Sequence, residues 1–451
     1  ADGEVEAIVA NIGRKDARST PPAVARLNAD HALILVGDKA AVLVETGDSF
    51  RLLSVGAFKE WLRPQLVEVG GKSIPLSEFW LGHRHRRSYW DIIFDPAEHS
   101  DRYFNLWRGF AVEPSADGSC DRFLDHLRQN MCRDDEALYA YALGWFAHLV
   151  QHPSQKLGTS LAIRGKQGTG KSIIGATLGH LLGRHYAAVS DPRYITGRFN
   201  SHMIDCLLLH ADEGFWAGDK AAEGKLKDLV TGVDHFIEFK GKEPIRVKNH
   251  VRLLVTGNAD WIVPAGLEER RFAVFEMGEG SLQDHRYFGA LVAELEQGGY
   301  AKLLYTLLHH DLTRVDLRLI PNTVALYEQK MSSLSSEQAW WLDTLTNGHL
   351  PGDDEGTGCC PTQLLYDRYI GHAQKTGTRR RSIETQVGVF LKRYVPGLRK
   401  REGEFGGERV TMYEFPSLQA CRVAFARETR HPGQWDGPVA WVATGNERGG
   451  F

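Results

Sequence analysis

Cysteine is scarce in this 451-residue sequence: six thiols, at Cys120, Cys132, Cys206, Cys359, Cys360 and Cys421, with no Cys-x-x-Cys pair among them. That excludes a disulfide framework and a zinc knuckle, and it suits a reducing compartment. Long apolar runs are missing too. Nothing approaches the ~20 residues of a membrane span and no signal peptide is visible, so no membrane partner is expected. Neither charge is in excess, with 54 Lys+Arg against 57 Asp+Glu and a net charge of −3. Such a balance counts against a surface given over wholly to nucleic acid, but a sum conceals segregation. Solenoid-type repeats are absent. What remains is an ordinary globular composition, 42% hydrophobic and 25% charged. Disorder as the main state is excluded, and the length suits roughly two to four domains. The chain starts at Ala1 rather than Met, so an upstream domain is a standing expectation.

The texture changes along the chain. Residues 1–22 are polar. From His31 the pattern is that of strands: 31–36 and 41–45 read as a hairpin, and short strands continue to about residue 114. Two helical segments follow, over 120–132 and 136–151, the second with Leu138, Tyr141, Trp145 and Leu149 on one face. Between 157 and 279 short apolar strands alternate with Gly-rich loops and helices, the signature of an α/β unit with a largely parallel sheet. Residues 282–347 read as helical. The stretch 351–358 (PGDDEGTG) reads as an acidic, Gly-rich linker to a compact C-terminal segment. The expected divisions are a β-rich N-terminal region (1–115), a helical collar or oligomerisation segment (116–156), the α/β core (157–280), a helical lid (281–350), a C-terminal module (359–420) and a tail (421–451).

The chemistry begins at Gly165-Lys166-Gln167-Gly168-Thr169-Gly170-Lys171-Ser172, which matches G-x-x-x-x-G-K-[ST]. A strand-like run, TSLAIR, enters it and a helix-like run, SIIGATLGHLL, leaves it. Gly165, Gly168 and Gly170 let the backbone curl so that its N–H groups, with that of Thr169, face a phosphate. Lys171 should reach the β- and γ-phosphates of ATP, and the Ser172 hydroxyl should hold Mg²⁺. The alternative is a chance Gly-rich turn. The run Cys206-Leu207-Leu208-Leu209-His210-Ala211-Asp212-Glu213 supplies acids at a strand's C-terminal end, where α/β sheets place ligands. Asp212 is the expected second metal contact and Glu213 the general base on the attacking water; two surface acids after a buried strand are the alternative. A third strand, VRLLVTG, ends in Asn258. There an amide can orient the lytic water, or merely begin a turn. Arg270 and Arg271, in EERRF, suit an arginine finger acting on a neighbour's ATP, or a pair salt-bridged to Glu268 and Glu269. Which of the two is the finger stays open.

Between the second and third strands, FIEFKGKEPIRVKNH reads as a β-hairpin carrying Lys240, Lys242, Arg246, Lys248 and His250. A motor that grips nucleic-acid phosphates has use for such a hairpin; a solvated charged hairpin is the alternative. Taken together, GKQGTGKS, LLLHADE, the basic hairpin, VTGN and ERRF resemble superfamily 3 helicases, in particular the phage and plasmid primase-helicase group that includes poxvirus-type primase-helicases. The motifs span residues 165–272, and the resemblance takes in about three quarters of the chain. It implies a P-loop ATPase core of the AAA+ type and a ring, usually hexameric, moving along single-stranded DNA in the 3′→5′ direction on ATP and Mg²⁺. It also implies DNA contact by a hairpin lysine, Lys240 or Lys242, a primase or polymerase as partner, and work in the cytoplasm of a bacterial host cell or an equivalent replication compartment. Residues 1–115 show no Asp-x-Asp metal pair, so no primer synthesis is expected. The run His83-Arg84-His85-Arg86-Arg87 suits nucleic-acid contact or a solvated loop equally.

The C-terminal segment reads as helix (361–375), helix (383–395, capped by Ser382) and a β-ribbon (398–402 with 410–415), which is the winged-helix layout. Ile383, Val387, Phe390, Leu391 and Tyr394 form its expected apolar stripe. Residues 375–401 hold nine Lys/Arg, among them Arg379, Arg380, Arg381, Lys392 and Arg393, and one acid, Glu384. That bias favours DNA, single-stranded or forked, over a protein partner. The reading that follows is an ATP-dependent DNA helicase of a phage, plasmid or mobile element. The alternative is an ATP-switched initiator or loader without processive unwinding; a small-molecule kinase fits the basic segments poorly.

Overall fold

The computed structural model describes residues 20–36, 39–47, 49–213, 220–238, 244–377, 381–429, 435 and 437–443. Two compact units divide the chain: Ala1–Ala259 with Phe275–Pro321, and Asp260–Val274 with Asn322–Phe451. The architecture is mixed α/β with a parallel sheet.

After a short helix, Pro22–Asn28, the first unit builds strands β1 (His31–Val36), β2 (Lys39–Thr46), β3 (Ser49–Ser54) and β4 (Ser88–Tyr89), in the order β3-β2-β1-β4. The expected hairpin is present, with His31 opposite Val44. Val24, Leu27, Val42, Phe58, Leu62, Leu76 and Trp80 form a small core beneath it. The basic run 83–87 is held within this region. Arg87 pairs with Glu45 at 2.5 Å and donates to the Tyr89 hydroxyl at 2.9 Å, and Arg86 donates to the Leu81 carbonyl. Two of its three guanidinium groups thus fasten the loop they sit on.

Helix α1 (Glu136–Gln151) starts where the Asp135 carboxylate accepts from the Ala137 and Leu138 amides, as N-caps do. Residues 141–150 are all buried. A helix apolar all round belongs to an interior. Of the expected stripe, Tyr141, Trp145 and Leu149 are buried within the unit and Leu138 is half-buried, while Glu136 and Ala137 in the first turn are exposed.

The central sheet is built from β5 (Ser160–Arg164), β6 (Tyr186–Val189), β7 (Leu208–Asp212), β10 (Arg252–Gly257) and β11 (Phe272–Glu276), in the order β6-β7-β10-β5-β11. The pairings from β6 through β5 are parallel. Every residue of β5 and β10 is buried. Strands covered on both faces read as continuous apolar runs, which is why they were legible as short apolar runs between Gly-rich loops rather than by alternation. Helix α2 (Lys171–Leu182) follows β5, and α3 (Lys220–Thr231) precedes the hairpin β8 (Asp234–Ile237) and β9 (Ile245–Lys248), paired with Phe236 opposite Arg246. Helices α4 (His285–Glu294) and α5 (Tyr300–Leu308) close the unit.

In the second unit α6 (Ser336–Asn347) leads to β12 (Cys359–Pro361), α7 (Thr362–Lys375), α8 (Glu384–Tyr394), the ribbon β13 (Arg399–Phe405) and β14 (Glu408–Glu414), and α9 (Leu418–Thr429). The strands run in the order β12-β14-β13. Three expectations change here. The stretch 351–358 is a built turn rather than a linker. Asp353 is 2% exposed, and its carboxylate accepts from the Thr357 amide and hydroxyl and the Gly358 amide at 2.7–3.0 Å. Ser382 does not cap α8, because its hydroxyl goes to the Glu337 carboxylate; Ile383 takes the cap position and is 60% exposed, outside the stripe assigned to it. The tail contributes to the core: Trp341 and Phe415 stack at 5.4 Å, Trp441 packs on both, and Arg422 donates to the carbonyls of Leu345 and Pro438. All six cysteines are free thiols.

Candidate active site

Parallel strands converge their C-terminal ends on one edge of the sheet, and the candidate residues of the first unit gather there. β5 ends at Arg164 and the chain turns through the glycine-rich loop into α2. Gly168 (φ +87°) and Gly170 (φ +90°) occupy the left-handed region that side chains avoid. At Gly170 a Cβ would also lie 2.6–2.7 Å from the rings of Phe288 and His126. The loop thus needs glycine there for conformation and for space. It delivers the first, unbonded amides of α2 toward the cleft, a ready anion seat.

Lys171 is 5% exposed. Its ammonium donates to the carbonyls of Gly165 and Lys166 at 2.7 and 2.8 Å and to Asn258 Oδ1 at 2.7 Å. Burial lowers its pKa, while Glu213 and Asp212 oppose that shift. Asn258 turns its amide nitrogen the other way, to Glu213 Oε1 at 2.6 Å. It therefore bridges the lysine and the acid. Glu213 itself has φ +56°, rare for a residue with a side chain, and its amide is tied to the Thr256 carbonyl at 2.9 Å. Strain of this kind, held in place by neighbours, concentrates at functional sites.

Asp212 accepts from the Ser172 hydroxyl at 3.1 Å and from the Thr256 hydroxyl at 2.5 Å. Behind it, His210 bonds Thr256 Oγ1 through Nε2 and the Tyr186 hydroxyl through Nδ1, both at 2.8 Å. Burial drops the His210 pKa to about 4, so the ring is neutral at pH 7. Sequence reasoning passed over Tyr186, His210 and Thr256. The signal was the period of two: His210 precedes Asp212 by two residues, and Thr256 precedes Asn258 by two.

A cavity of about 380 Å³ adjoins the loop, lined by Gly168, Lys171, Ser172, Glu213 and, from after the sheet, Gln283, His285 and Phe288. Gln283 donates its amide to the Gly168 carbonyl at 2.9 Å and has φ +56°. On the loop's other flank His126 contacts Tyr287 at 3.2 Å, with Asn130 at 3.2 Å from His126. Gln283, His285, Phe288, His126, Tyr287 and Asn130 were not legible in the sequence, because they come from segments far from the loop with no motif of their own.

As for metal, Ser172 and Asp212 present two hard oxygen donors 3.1 Å apart. Among the described residues no cluster of three or more His, Cys, Asp or Glu could form a protein cage. A hydroxyl and one carboxylate, completed by phosphate and water, is a donor set that suits Mg²⁺.

The remaining candidates divide. Lys240, Lys242, Arg379 and Arg380 lie outside the described residues. Arg246 pairs with Asp234, and Lys248 with Asp95 at 2.5 Å. The two described cations of the hairpin strands thus have protein partners. Arg270 and Arg271 belong to the second unit. Glu269 accepts from their backbone amides at 3.0 and 2.6 Å, and no ion pair joins either guanidinium to Glu268 or Glu269 among the described residues. Arg270 is exposed, Arg271 half-buried. Arg381, Lys392 and Arg393 are exposed, the last two on the final turn of α8.

Comparison with known proteins gives a consistent outline. A family model described as a family of unknown function (DUF5906) matches residues 163–271. Over 187 residues the chain is 23% identical to a DNA primase-polymerase of Nitratiruptor phage NrS-1, a match taking in 40% of this chain and 25% of the relative. The chain thus spans about a quarter of that relative's length. Two apo structures of the NrS-1 C-terminal region superpose with TM-scores of 0.60 and 0.61 at 15% and 14% identity, each over 87% of this chain and 98% of the other. The chain shares the fold of that region and is related in sequence to a phage replication protein.

Proposed function

We propose that this chain is an ATP hydrolase that drives DNA through a replication complex of a phage, plasmid or mobile element. The observation that carries this reading is the meeting of Lys171, Ser172, Asp212, Glu213 and Asn258 on one sheet edge. In this reading the α2 N-terminus and the loop amides seat the triphosphate, and the Lys171 ammonium exchanges its two loop carbonyls for β- and γ-phosphate oxygens. Ser172 and Asp212 hold Mg²⁺, whose part is to neutralise charge on the phosphates. Asn258 holds Glu213 in place, and Glu213 takes the proton of the water that attacks the γ-phosphorus. Phe288 and Gln283 line the space left for the nucleoside.

In its finer form the proposal is an AAA+ motor of superfamily 3 type that assembles as a ring, with Arg270 or Arg271 reaching a neighbour's ATP. The tip of the β8–β9 hairpin and a winged-helix module containing α7, α8 and the β13–β14 ribbon would meet DNA. Support comes from the basic bias of 375–401 and the exposure of Lys392 and Arg393. The test is ATP hydrolysis with and without single-stranded DNA, beside strand separation on a forked duplex. Stimulated hydrolysis together with unwinding is expected. Hydrolysis without strand separation would favour the initiator or loader instead.

A further inference from the structure

A second cavity, of about 550 Å³, lies at the foot of the β8–β9 hairpin. Its walls include Ser154, Lys156 and Gly158, just before β5, and Asn249 and His250, just before β10. It therefore sits at the N-terminal edge of the parallel sheet, away from the glycine-rich loop. Nothing in the proposed ATP chemistry uses it.

Its polar groups are unbalanced. His250 is 4% exposed. Its Nδ1 donates to the Ser154 carbonyl at 3.2 Å, which leaves the lone pair on Nε2, and that buried atom has no partner. Lys156 donates to the Leu229 and Gly232 carbonyls, so one of its three donors remains. Behind the wall Arg252 is 2% exposed and, among the described residues, donates to the carbonyls of His152, Pro153, Gln155 and His250. His235 adds a buried, unpartnered Nδ1. Three acids lie near: Asp95 lines the cavity itself and pairs with Lys248, Asp234 pairs with Arg246, and Asp228 acts on Lys156. Burial, reinforced by Arg252, drops the Lys156 pKa to about 7. Burial likewise takes His250 and His235 to about 4, with Arg252 and Lys248 adding to the effect on His250, Lys156 and His250 adding to it on His235, and Asp95 and Asp234 opposing them. Burial and mutual repulsion outweigh the acids Asp95, Asp228 and Asp234 at these basic groups.

We propose that this cavity binds a phosphate group between the Lys156 ammonium and His250 Nε2, with Lys248 at its rim. Lys156 and Lys248 donate to phosphate oxygens, and a phosphate that keeps one proton donates its P–O–H to the His250 Nε2 lone pair. The volume admits a free phosphate, a nucleotide or the terminal phosphate of a strand. The inference stands apart from the proposed ATPase. An anion here favours the charged forms of Lys156 and His250, so binding tightens as pH falls.

The test follows the His250 ring signal by NMR in the full chain, assigned by its loss in His250→Gln. Inorganic phosphate is titrated in, then a short single-stranded oligonucleotide with and without a 5′-phosphate. The expected result is a saturable shift of that signal and a rise of the His250 pKa by at least about one unit, a tenfold change in proton affinity. The shift persists in Lys171→Ala and is lost in Lys156→Gln. Movement with inorganic phosphate assigns a free anion; movement only with the 5′-phosphorylated oligonucleotide assigns a strand end; both uphold the site. A His250 signal unmoved by either overturns it. So does a shift lost in Lys171→Ala, which would place the phosphate at the glycine-rich loop. Should Lys156→Gln fail to fold, the wild type and Lys171→Ala decide alone.

Discussion

At the scale of single residues, the account rests on Lys171 and the groups that aim it. Its ammonium has three partners within 2.8 Å, one of them the amide that also holds Glu213. Lys171→Ala should reduce ATP turnover by about 10²-fold or more, a loss on the scale of removing one preorganised charge-stabilising donor. Glu213→Gln should leave nucleotide binding intact while hydrolysis falls by about 10²–10⁴-fold, the usual contribution of a general base; nucleotide affinity measured beside turnover separates the two. A third change probes packing rather than chemistry. A Cβ at Gly175 would lie 2.2 Å from the His210 ring, which is fixed by Tyr186 and Thr256. Gly175→Ala should therefore cost about 1–3 kcal/mol in thermal or denaturant unfolding, as overpacking does. The motif residues were legible in the sequence because the proposed phosphate site calls for that spacing. His210, Thr256, His126 and Phe288 were not, since their roles arise only when distant segments pack together.

Elements were legible where periodicity and burial agree. The parallel strands, the helix after the glycine-rich loop and the hairpin over 234–248 all stand where apolar runs and turn residues put them. Elements defined by side-chain bonding were missed. PGDDEGTG has a linker's composition, yet Asp353 makes it a fixed turn by accepting three hydrogen bonds. Asp353→Ala should destabilise the second unit by about 1–3 kcal/mol by leaving the Thr357 and Gly358 donors unpaired, a loss to be read by denaturant unfolding. Likewise Ser382 looked like a cap for α8 but bonds Glu337 on another helix. Its competing partner lies 45 residues away, beyond the reach of a local pattern. In the helix over 136–151 one apolar face was legible, but the burial of 141–150 on every side was not.

For the whole molecule, the near-neutral net charge is a cancellation, and the structure adds how part of it is achieved. Arg246, Lys248 and Arg87 each carry an acid partner, whereas Arg381, Lys392 and Arg393 stand exposed. A ring with shared sites makes its own prediction. Arg270→Ala or Arg271→Ala, whichever is the finger, should be inactive alone, yet mixed with Lys171→Ala it should regain part of the hydrolysis, because each subunit supplies what the other lacks. Recovery in neither mixture would remove the finger from the account. The central claim meets its most direct test in the steady-state rate of ATP hydrolysis by the purified chain, with Mg²⁺, measured with and without single-stranded DNA beside Lys171→Ala. The account predicts Mg²⁺-dependent turnover that single-stranded DNA stimulates and the substitution abolishes. Turnover no faster than that of Lys171→Ala, with or without DNA, would contradict it.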